Sequence, residues 1–320
     1  MKKEDLRIVF MGTPEFAVET LRALVEQEYN VVAVVTQPDK PVGRHGSVVQ
    51  PSAVKQYALD KALPVLQPEK MKDPAFVEQL RAYRANLQVV VAFRMLPEVV
   101  WAMPEYGTFN VHASLLPQYR GAAPINWAII NGEKWTGVTT FFLDHEIDTG
   151  RIIMQESFAI ADDDNAERVY DGLMRLGAHC CIETLKRIVA ADGHPVTSPQ
   201  IALGELKPAP KIFKETCEIS WAQPAKCVYD FVRGLSPYPG AWTTLVGPDG
   251  KQTVLKVFRT TKTDMKANGV GQMMAEKKHF YIAASDEWLQ IDELQLAGKK
   301  RMDAAAFLNG MKDLEKYSVL

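Results

Sequence analysis

Leu6-Arg7-Ile8-Val9-Phe10-Met11, then Gly12-Thr13-Pro14, then Glu15 to Glu26, then Val31-Val32-Ala33-Val34-Val35: the reading of this opening decides the fold. The first and last runs are short and apolar, the signature of buried strands. Between them Phe16, Leu21, Leu24 and Val25 recur at helical spacing, and Pro14 suits the entrance of a helix. Strand, helix and strand within about 30 residues make a right-handed parallel unit. Neither strand alternates apolar with polar residues, so the sheet is expected to be covered on both faces. The chain is therefore expected to begin as an α/β protein.

Further strand-like runs fall at Leu87 to Ala92, Thr108 to His112, Val138 to Leu143 and Ile152 to Phe158, and helical stretches at Phe76 to Arg84 and Pro124 to Asn131. An open sheet of this kind carries its ligand crevice at the carboxyl ends of the strands. From Ala166 to Val189, Val169, Leu173, Leu176, Cys180, Leu185 and Val189 mark one long helix that is expected to close a first domain, residues 1–189. Residues 190–210 contain Pro195, Pro199, Pro208 and Pro210 among small polar residues and read as a linker. Beyond them the runs Thr253 to Phe258 and His279 to Ile282, with turns at Gly247-Pro248-Asp249-Gly250 and Asn268-Gly269, predict a small antiparallel β domain over 211–320.

A length of 320 residues, 47% hydrophobic and 24% charged, suits two soluble domains at roughly 100 to 200 residues each. There is no apolar run of about 18 residues, and Met1-Lys2-Lys3-Glu4-Asp5 leads straight into the first strand, so neither a membrane span nor a signal peptide is expected. The expectation is a cytoplasmic protein. Four cysteines, of which Cys180 and Cys181 adjoin while Cys217 and Cys227 lie apart, have neither metal-ligand nor disulfide spacing; no metal is expected. The net charge of -2 hides an asymmetry. Residues 207–320 hold 17 Lys and Arg against 13 Asp and Glu, leaving 20 against 26 of the totals of 37 and 39 for residues 1–206. That surplus is compatible with a surface meeting phosphates and equally with an ordinary solvated face.

The chemistry concentrates in Phe109-Asn110-Val111-His112-Ala113-Ser114-Leu115-Leu116-Pro117, in Arg120-Gly121-Ala122-Ala123-Pro124, and in Asp144-His145-Glu146-Ile147-Asp148-Thr149-Gly150. Asn110 and His112, two apart on a strand, project to one face. Asp148 follows the run that ends a second strand. An amide, an imidazole and a carboxylate form an acyl-transfer set without a nucleophile. Moving an acyl group to an amine develops charge on oxygen and releases a proton, which calls for preorganised donors and a proton acceptor. A carboxylate beside the imidazole would orient it. Taken singly, each residue is as readily a satisfied polar group of the core or a turn former. No G-x-x-x-x-G-K-[ST] or G-x-G-x-x-G motif occurs, and Gly12-Thr13-Pro14 reads as a shaped turn.

Together these motifs resemble those of the folate-dependent formyltransferases, and most closely the branch that acts on methionyl-tRNA. The resemblance runs from Leu6 to the late segment Leu294-Gln295-Leu296-Ala297-Gly298-Lys299-Lys300-Arg301-Met302. It implies a Rossmann-like catalytic domain with a mostly parallel sheet, followed by an OB-like β-barrel domain that helps to hold tRNA. It implies Asn110, His112 and Asp148 as the catalytic trio, and Ser114, Leu115, Leu116 and Pro117 in a reduced-folate site. 10-Formyltetrahydrofolate would be the donor and initiator methionyl-tRNA the acceptor, with no obligatory protein partner. Thr36 to Arg44 and Pro51 to Lys55 resemble a loop that grips the tRNA acceptor end, with Arg44 as the contact. A guanidinium both pairs with phosphate and stacks on a base. Lys211, Lys214, Lys299, Lys300 and Arg301 are expected phosphate contacts, which position without reading sequence.

The chain departs from the family at His45-Gly46-Ser47, where lysines often stand, and at Ala92-Phe93-Arg94-Met95-Leu96-Pro97. Arg94 there faces either an anionic part of the folate or away from it. Three other readings share parts of the pattern: a sugar-nucleotide formyltransferase, against which the long second domain speaks, a formylfolate hydrolase with water as acceptor, and a noncatalytic RNA-binding or folate-binding module.

Overall fold

The computed structural model describes residues 1–42, 48–311 and 313–320. The opening unit forms as its sequence predicts: β1 (Ile8–Gly12), α1 (Glu15–Glu26) and β2 (Val31–Val35). There follow β3 (Lys40–Val42) and β4 (Val48–Gln50), paired antiparallel, then α2 (Ala53–Asp60), β5 (Val65–Leu66), α3 (Pro74–Ala82), β6 (Leu87–Val91), α4 (Glu98–Trp101) and β7 (Thr108–His112). Next come α5 (Pro124–Ile130), β8 (Trp135–Phe142), β9 (Ile152–Ala159) and the 25-residue α6 (Ala166–Ala190). The strand order is β5-β2-β1-β6-β7-β8-β9. β5, β2, β1, β6 and β7 run parallel, and β8 pairs antiparallel with β7.

Apolar residues on both faces explain why these strands read as continuous apolar runs. Val9, Met11, Ala33, Val35 and Val90 share one buried cluster with Phe76, Val77 and Leu80 of α3 and Val100 of α4. The alternate residues Ile8, Phe10, Val34 and Val89 are equally buried, and by the two-residue period they face the other way. Phe16 of α1 meets Tyr170 of α6 edge-on, with ring centroids 5.2 Å apart.

The chain forms two compact units, each drawn from three stretches. The first takes 1–121, 136–158 and 170–208; the second takes 122–135, 159–169 and 209–320. The division is thus not a single cut near residue 190. α5 goes with the second unit because it packs on α7 (Ala225–Leu235), where the amide of Asn126 donates to the Gly234 carbonyl at 2.8 Å. Residues 159–169 go there because Arg233 donates to the Asp164 carbonyl at 2.8 Å while its Nε pairs with the buried Asp230 at 2.8 Å. Of residues 190–210, read from sequence as linker, 190–207 are strapped along the first unit: Ser198 bridges Ile152, and the Tyr119 N–H donates to the Lys207 carbonyl.

The second unit holds β10 (Ala241–Val246), β11 (Gln252–Lys266), β12 (Met273–Glu276), β13 (His279–Ala283), β14 (Glu287–Leu296), β15 (Met302–Asp303), α8 (Ala304–Asn309) and β16 (Ser318–Val319). The order β12-β13-β14-β11-β10-β16 is antiparallel throughout, with β15 beside β14. Register shifts along β11, between Val257 and Lys266, bend the sheet as bulges do. Its two edges then meet through the bridge Gln272↔Ser318. The result is a curled half-barrel around Trp221, Val228, Val232, Leu255, Val257, Phe280, Leu289, Ile291 and Phe307.

Candidate active site

β7 is the last parallel strand, and its carboxyl end is where ligands bind in open α/β sheets. Its burial is continuous except at Asn110, which is half-buried and on the same face as His112. The Oδ1 of Asn110 is buried without a hydrogen-bond partner among the described residues. An unmatched buried acceptor costs about 1–3 kcal/mol, which marks the amide as a group held ready for something the protein does not itself supply.

His112 is 7% exposed. Its Nε2 lies 3.0 Å from the Tyr119 carbonyl. A carbonyl only accepts, so Nε2 carries the proton and donates it there. The other nitrogen, Nδ1, faces Asp148 Oδ2 at 3.9 Å, beyond hydrogen-bond length and wide enough to invite a bridging group. The imidazole and the carboxylate are therefore together, with Nδ1 the nitrogen turned to the carboxylate.

Asp148 reaches this position by a route the sequence did not disclose. β8 stops at Phe142, which pairs with Phe109 at the start of β7. The loop must double back by about 10 Å, three residues of strand rise, to bring the carboxylate to His112. Asp148 itself adopts a left-handed φ of 56°, tolerated in Asp better than in most side chains. Gly150 is required as well, because a Cβ there would lie 1.7 Å from the Phe142 carbonyl oxygen. The Gly121 N–H donates to Asp148 Oδ2 at 2.9 Å.

The clasp that holds this loop is Gln200. Its Nε2 donates to the carbonyls of Asp148 at 2.8 Å and Gly150 at 2.9 Å. Its Oε1 accepts from Arg120 Nη2 at 2.7 Å and Nε at 3.1 Å. Sequence reasoning placed Gln200 in a linker and gave it no role. The only trace of it was a polar amide among prolines and apolar residues, Ser198-Pro199-Gln200-Ile201.

Ser114, Leu115, Leu116 and Pro117 form a clamped turn with a cis Leu116–Pro117 bond. The Ser114 hydroxyl donates to the Gln118 carbonyl at 2.7 Å, and the Leu116 N–H donates to Thr139 Oγ1 at 3.0 Å. Gln155 Nε2 donates to the Leu116 carbonyl at 2.8 Å. Ser114 and Leu116 are fully buried, while Leu115 and Pro117 are half-buried. Leu115 lies over Gly137, whose missing side chain leaves it room: a Cβ would sit 2.5 Å from Leu115 Cδ2.

Arg94, left open by the sequence, donates Nη1 to the Glu69 carbonyl at 2.8 Å and Nη2 to the Pro68 carbonyl. Its guanidinium thus ties its own loop to the segment after β5. Arg44 lies outside the described residues. Beside that segment, Lys55 pairs with Asp39 at 2.6 Å, and this hydrogen bond, joined by one from Gln67, holds the Asp39 carboxyl below its usual range. Lys211, Lys214, Lys299 and Lys300 are exposed. Arg301 is exposed but engaged, its Nε 2.5 Å from Glu293 Oε1 and its guanidinium 4.2 Å from the centre of the Phe258 ring.

Residues 6–185 match the formyl transferase family and residues 211–312 match the formyl transferase C-terminal domain. The chain therefore belongs to the formyl transferase family, and within it to the methionyl-tRNA formyltransferases. Proteins of that name from Parabacteroides distasonis and Bacteroides thetaiotaomicron are 62% and 57% identical to it, each alignment covering all of both chains. A third, from Porphyromonas gingivalis, is 48% identical over 97% of each. Among solved structures, HypX from Aquifex aeolicus in complex with tetrahydrofolic acid has a TM-score of 0.62 at 20% identity, covering 95% of this chain and 47% of that one. An N-formyltransferase from Helicobacter canadensis, in complex with folinic acid and dTDP-3-aminofucose, has a TM-score of 0.62 at 18% identity over 93% and 100%. These two establish the likeness of fold. Among the described residues, no helix is long and apolar enough to cross a membrane.

Proposed function

We propose that the chain transfers a formyl group from 10-formyltetrahydrofolate to the α-amine of initiator methionyl-tRNA, with Asn110, His112 and Asp148 as its catalytic residues. The observation that carries this reading is the approach of His112 Nδ1 to Asp148, 3.9 Å apart, beside an amide with a buried and unpaired oxygen. The donor supplies an activated formyl carbon; the side chains do the rest. The Nδ2 hydrogens of Asn110 are the part of its amide that can donate to negative charge on the formyl oxygen, and its unpaired Oδ1 is left to accept a hydrogen bond from the attacking amine. With Nε2–H committed to Tyr119, His112 holds a proton arriving from the amine at Nδ1, where the Asp148 carboxylate faces it. The resulting positive charge adds to the stabilisation of the oxygen, and when the tetrahedral adduct collapses the bond from the formyl carbon to the folate nitrogen breaks, that nitrogen takes the proton held on His112, and tetrahydrofolate leaves. Gly121 keeps Asp148 turned inward.

The segment Ser114 to Pro117 would hold the folate through its fixed backbone and through the half-buried edges of Leu115 and Pro117, a mixture suited to a flat heterocycle. Ser114 and Leu116 serve that turn by packing rather than by contact. For the RNA, Arg44, Lys211, Lys214, Lys299 and Lys300 would meet phosphates. Arg301 would have to exchange Glu293 for its phosphate. We place this activity in the cytoplasm, with no metal and no obligatory protein partner.

The test is a panel of acceptors with labelled formyl donor: methionyl-tRNA, free methionine, a nucleotide-linked amino sugar, and water alone. Formylation confined to methionyl-tRNA is expected. Transfer to the amino sugar, or release of formate that no acceptor accelerates, would overturn the proposal.

A further inference from the structure

Within the second unit a cleft of about 460 Å³ is lined by Lys211, Phe213, Lys214, Tyr238, Trp242 and Lys256, with Cys217 and Asn126 among its remaining walls. That volume lies within the roughly 300–1,000 Å³ of small-ligand sites. Two features of the lining are unusual together. Two of its three aromatic rings are open to solvent, Tyr238 being 83% and Phe213 54% exposed, while Trp242 is half-buried. Its charged groups are three ammoniums, with no carboxylate among the lining residues.

The walls are fixed. Trp242 Nε1 donates to the Lys214 carbonyl at 2.8 Å, and the Cys217 thiol donates to the Phe213 carbonyl at 3.2 Å. Lys211 Nζ stands 5.4 Å from the Phe213 ring centre. Lys256 Nζ donates to the Pro239 carbonyl at 3.3 Å; an ammonium has three donors, so capacity remains for an anion. An exposed aromatic face next to clustered ammoniums matches a ligand that presents a flat ring and an anion in one unit.

We propose that this cleft binds an unpaired nucleotide of the RNA substrate, its base stacked on the Tyr238 ring and its phosphate among Lys211, Lys214 and Lys256. An acidic peptide would satisfy the ammoniums but would leave the exposed ring faces without a partner; a nucleotide uses both. Stacking on an aromatic ring reads no particular base, so the cleft adds affinity and orientation. The inference rests on the proposed reaction with tRNA, and its test separates the two.

Tyr238→Ala and Tyr238→Trp are measured in the full-length enzyme by anisotropy of labelled tRNA, which needs no turnover, and by steady-state formylation. Because Tyr238 is so exposed, both variants should melt like the wild type. Loss of one stacking contact is about 1–3 kcal/mol, or roughly 5- to 150-fold in RNA affinity. Tyr238→Ala is expected to weaken tRNA binding and raise the tRNA KM within that range, with the KM for the folate unchanged. Tyr238→Trp should bind RNA as well as the wild type, the added indole being quenched by RNA. Lys256→Gln should lower the salt slope of binding by about one. Unchanged RNA affinity in Tyr238→Ala would overturn the proposal, as would polyglutamate displacing tRNA only when Tyr238 is present. If the wild type binds tRNA through Tyr238 yet formylates another acceptor, the cleft stands and the reaction assignment falls.

Discussion

Truncating Gln200 to alanine should impair turnover although the side chain touches no reacting atom. Its Nε2 makes two hydrogen bonds to the 148–150 loop, and its Oε1 is oriented by the two-pronged guanidinium of Arg120. Each intramolecular hydrogen bond contributes about 1 kcal/mol net, so Gln200→Ala removes about 2 kcal/mol from the state in which the loop is doubled back. Asp148 sits there with a left-handed φ, a conformation that the surroundings must sustain. If turnover follows the fraction of enzyme with Asp148 facing His112, kcat falls by up to about 30-fold. The tRNA and folate KM values should move little, because the residues proposed to hold those substrates lie elsewhere. The assay is steady-state formylation with a double-mutant cycle against Asp148→Asn. Once the carboxylate is gone, losing its clasp should cost little further turnover. Additive losses in the cycle, or wild-type kcat in a folded Gln200→Ala enzyme, would refute the reasoning.

Asp148→Asn alone should keep the melting temperature within a few degrees while cutting kcat by roughly 10²- to 10⁴-fold, the usual contribution of a positioned acid-base group; single-turnover kinetics would expose any residual wild-type rate. Arg44→Ala should raise the tRNA KM several-fold without changing the folate KM, and equal loss of both would count against assigning that segment to RNA. Alkylation should be selective, because burial pushes the Cys180 thiol up to about 12 and raises that of Cys181 further, whereas Cys227 is exposed. Since the thiolate is the reactive form, iodoacetamide at pH 8 should label one of the four cysteines quickly in the native enzyme, and peptide mapping that finds Cys180 labelled as fast would contradict the packing of α6.

The opening of the fold was legible because it depends on local signals. α1 begins at Glu15 and ends at Glu26, and β2 runs Val31–Val35, as periodicity implied. The second unit was only half legible. β11 extends to Lys266, eight residues beyond the apolar run read as Thr253 to Phe258, because its far half is mostly exposed and carries no apolar alternation. α5 was recognisable as a helix, but nothing in its sequence tells which unit it serves; that is settled by its packing on α7 and the Asn126 bond to Gly234. Periodicity identifies an element's buried face without identifying what covers it.

The same distinction governs the site. Asn110 and His112 could be paired from sequence because a strand's two-residue period is a local property. That Asp148 meets His112 is not local at all. The antiparallel run of β8 carries the chain away from His112, and its return needs a left-handed aspartate, a glycine under the Phe142 carbonyl, and an amide 52 residues further on. None of these has a spacing that announces it. Motif resemblance reached Asp148 without knowing the path, and for that reason passed over Gln200. A residue that acts by holding backbone carbonyls is chosen for where its own main chain runs, so it becomes visible only when the strap from 190 to 207 is seen lying along the first unit. The strap is therefore part of the catalytic apparatus in this reading, and lengthening it near Gln200 should damage turnover as surely as changing the glutamine itself.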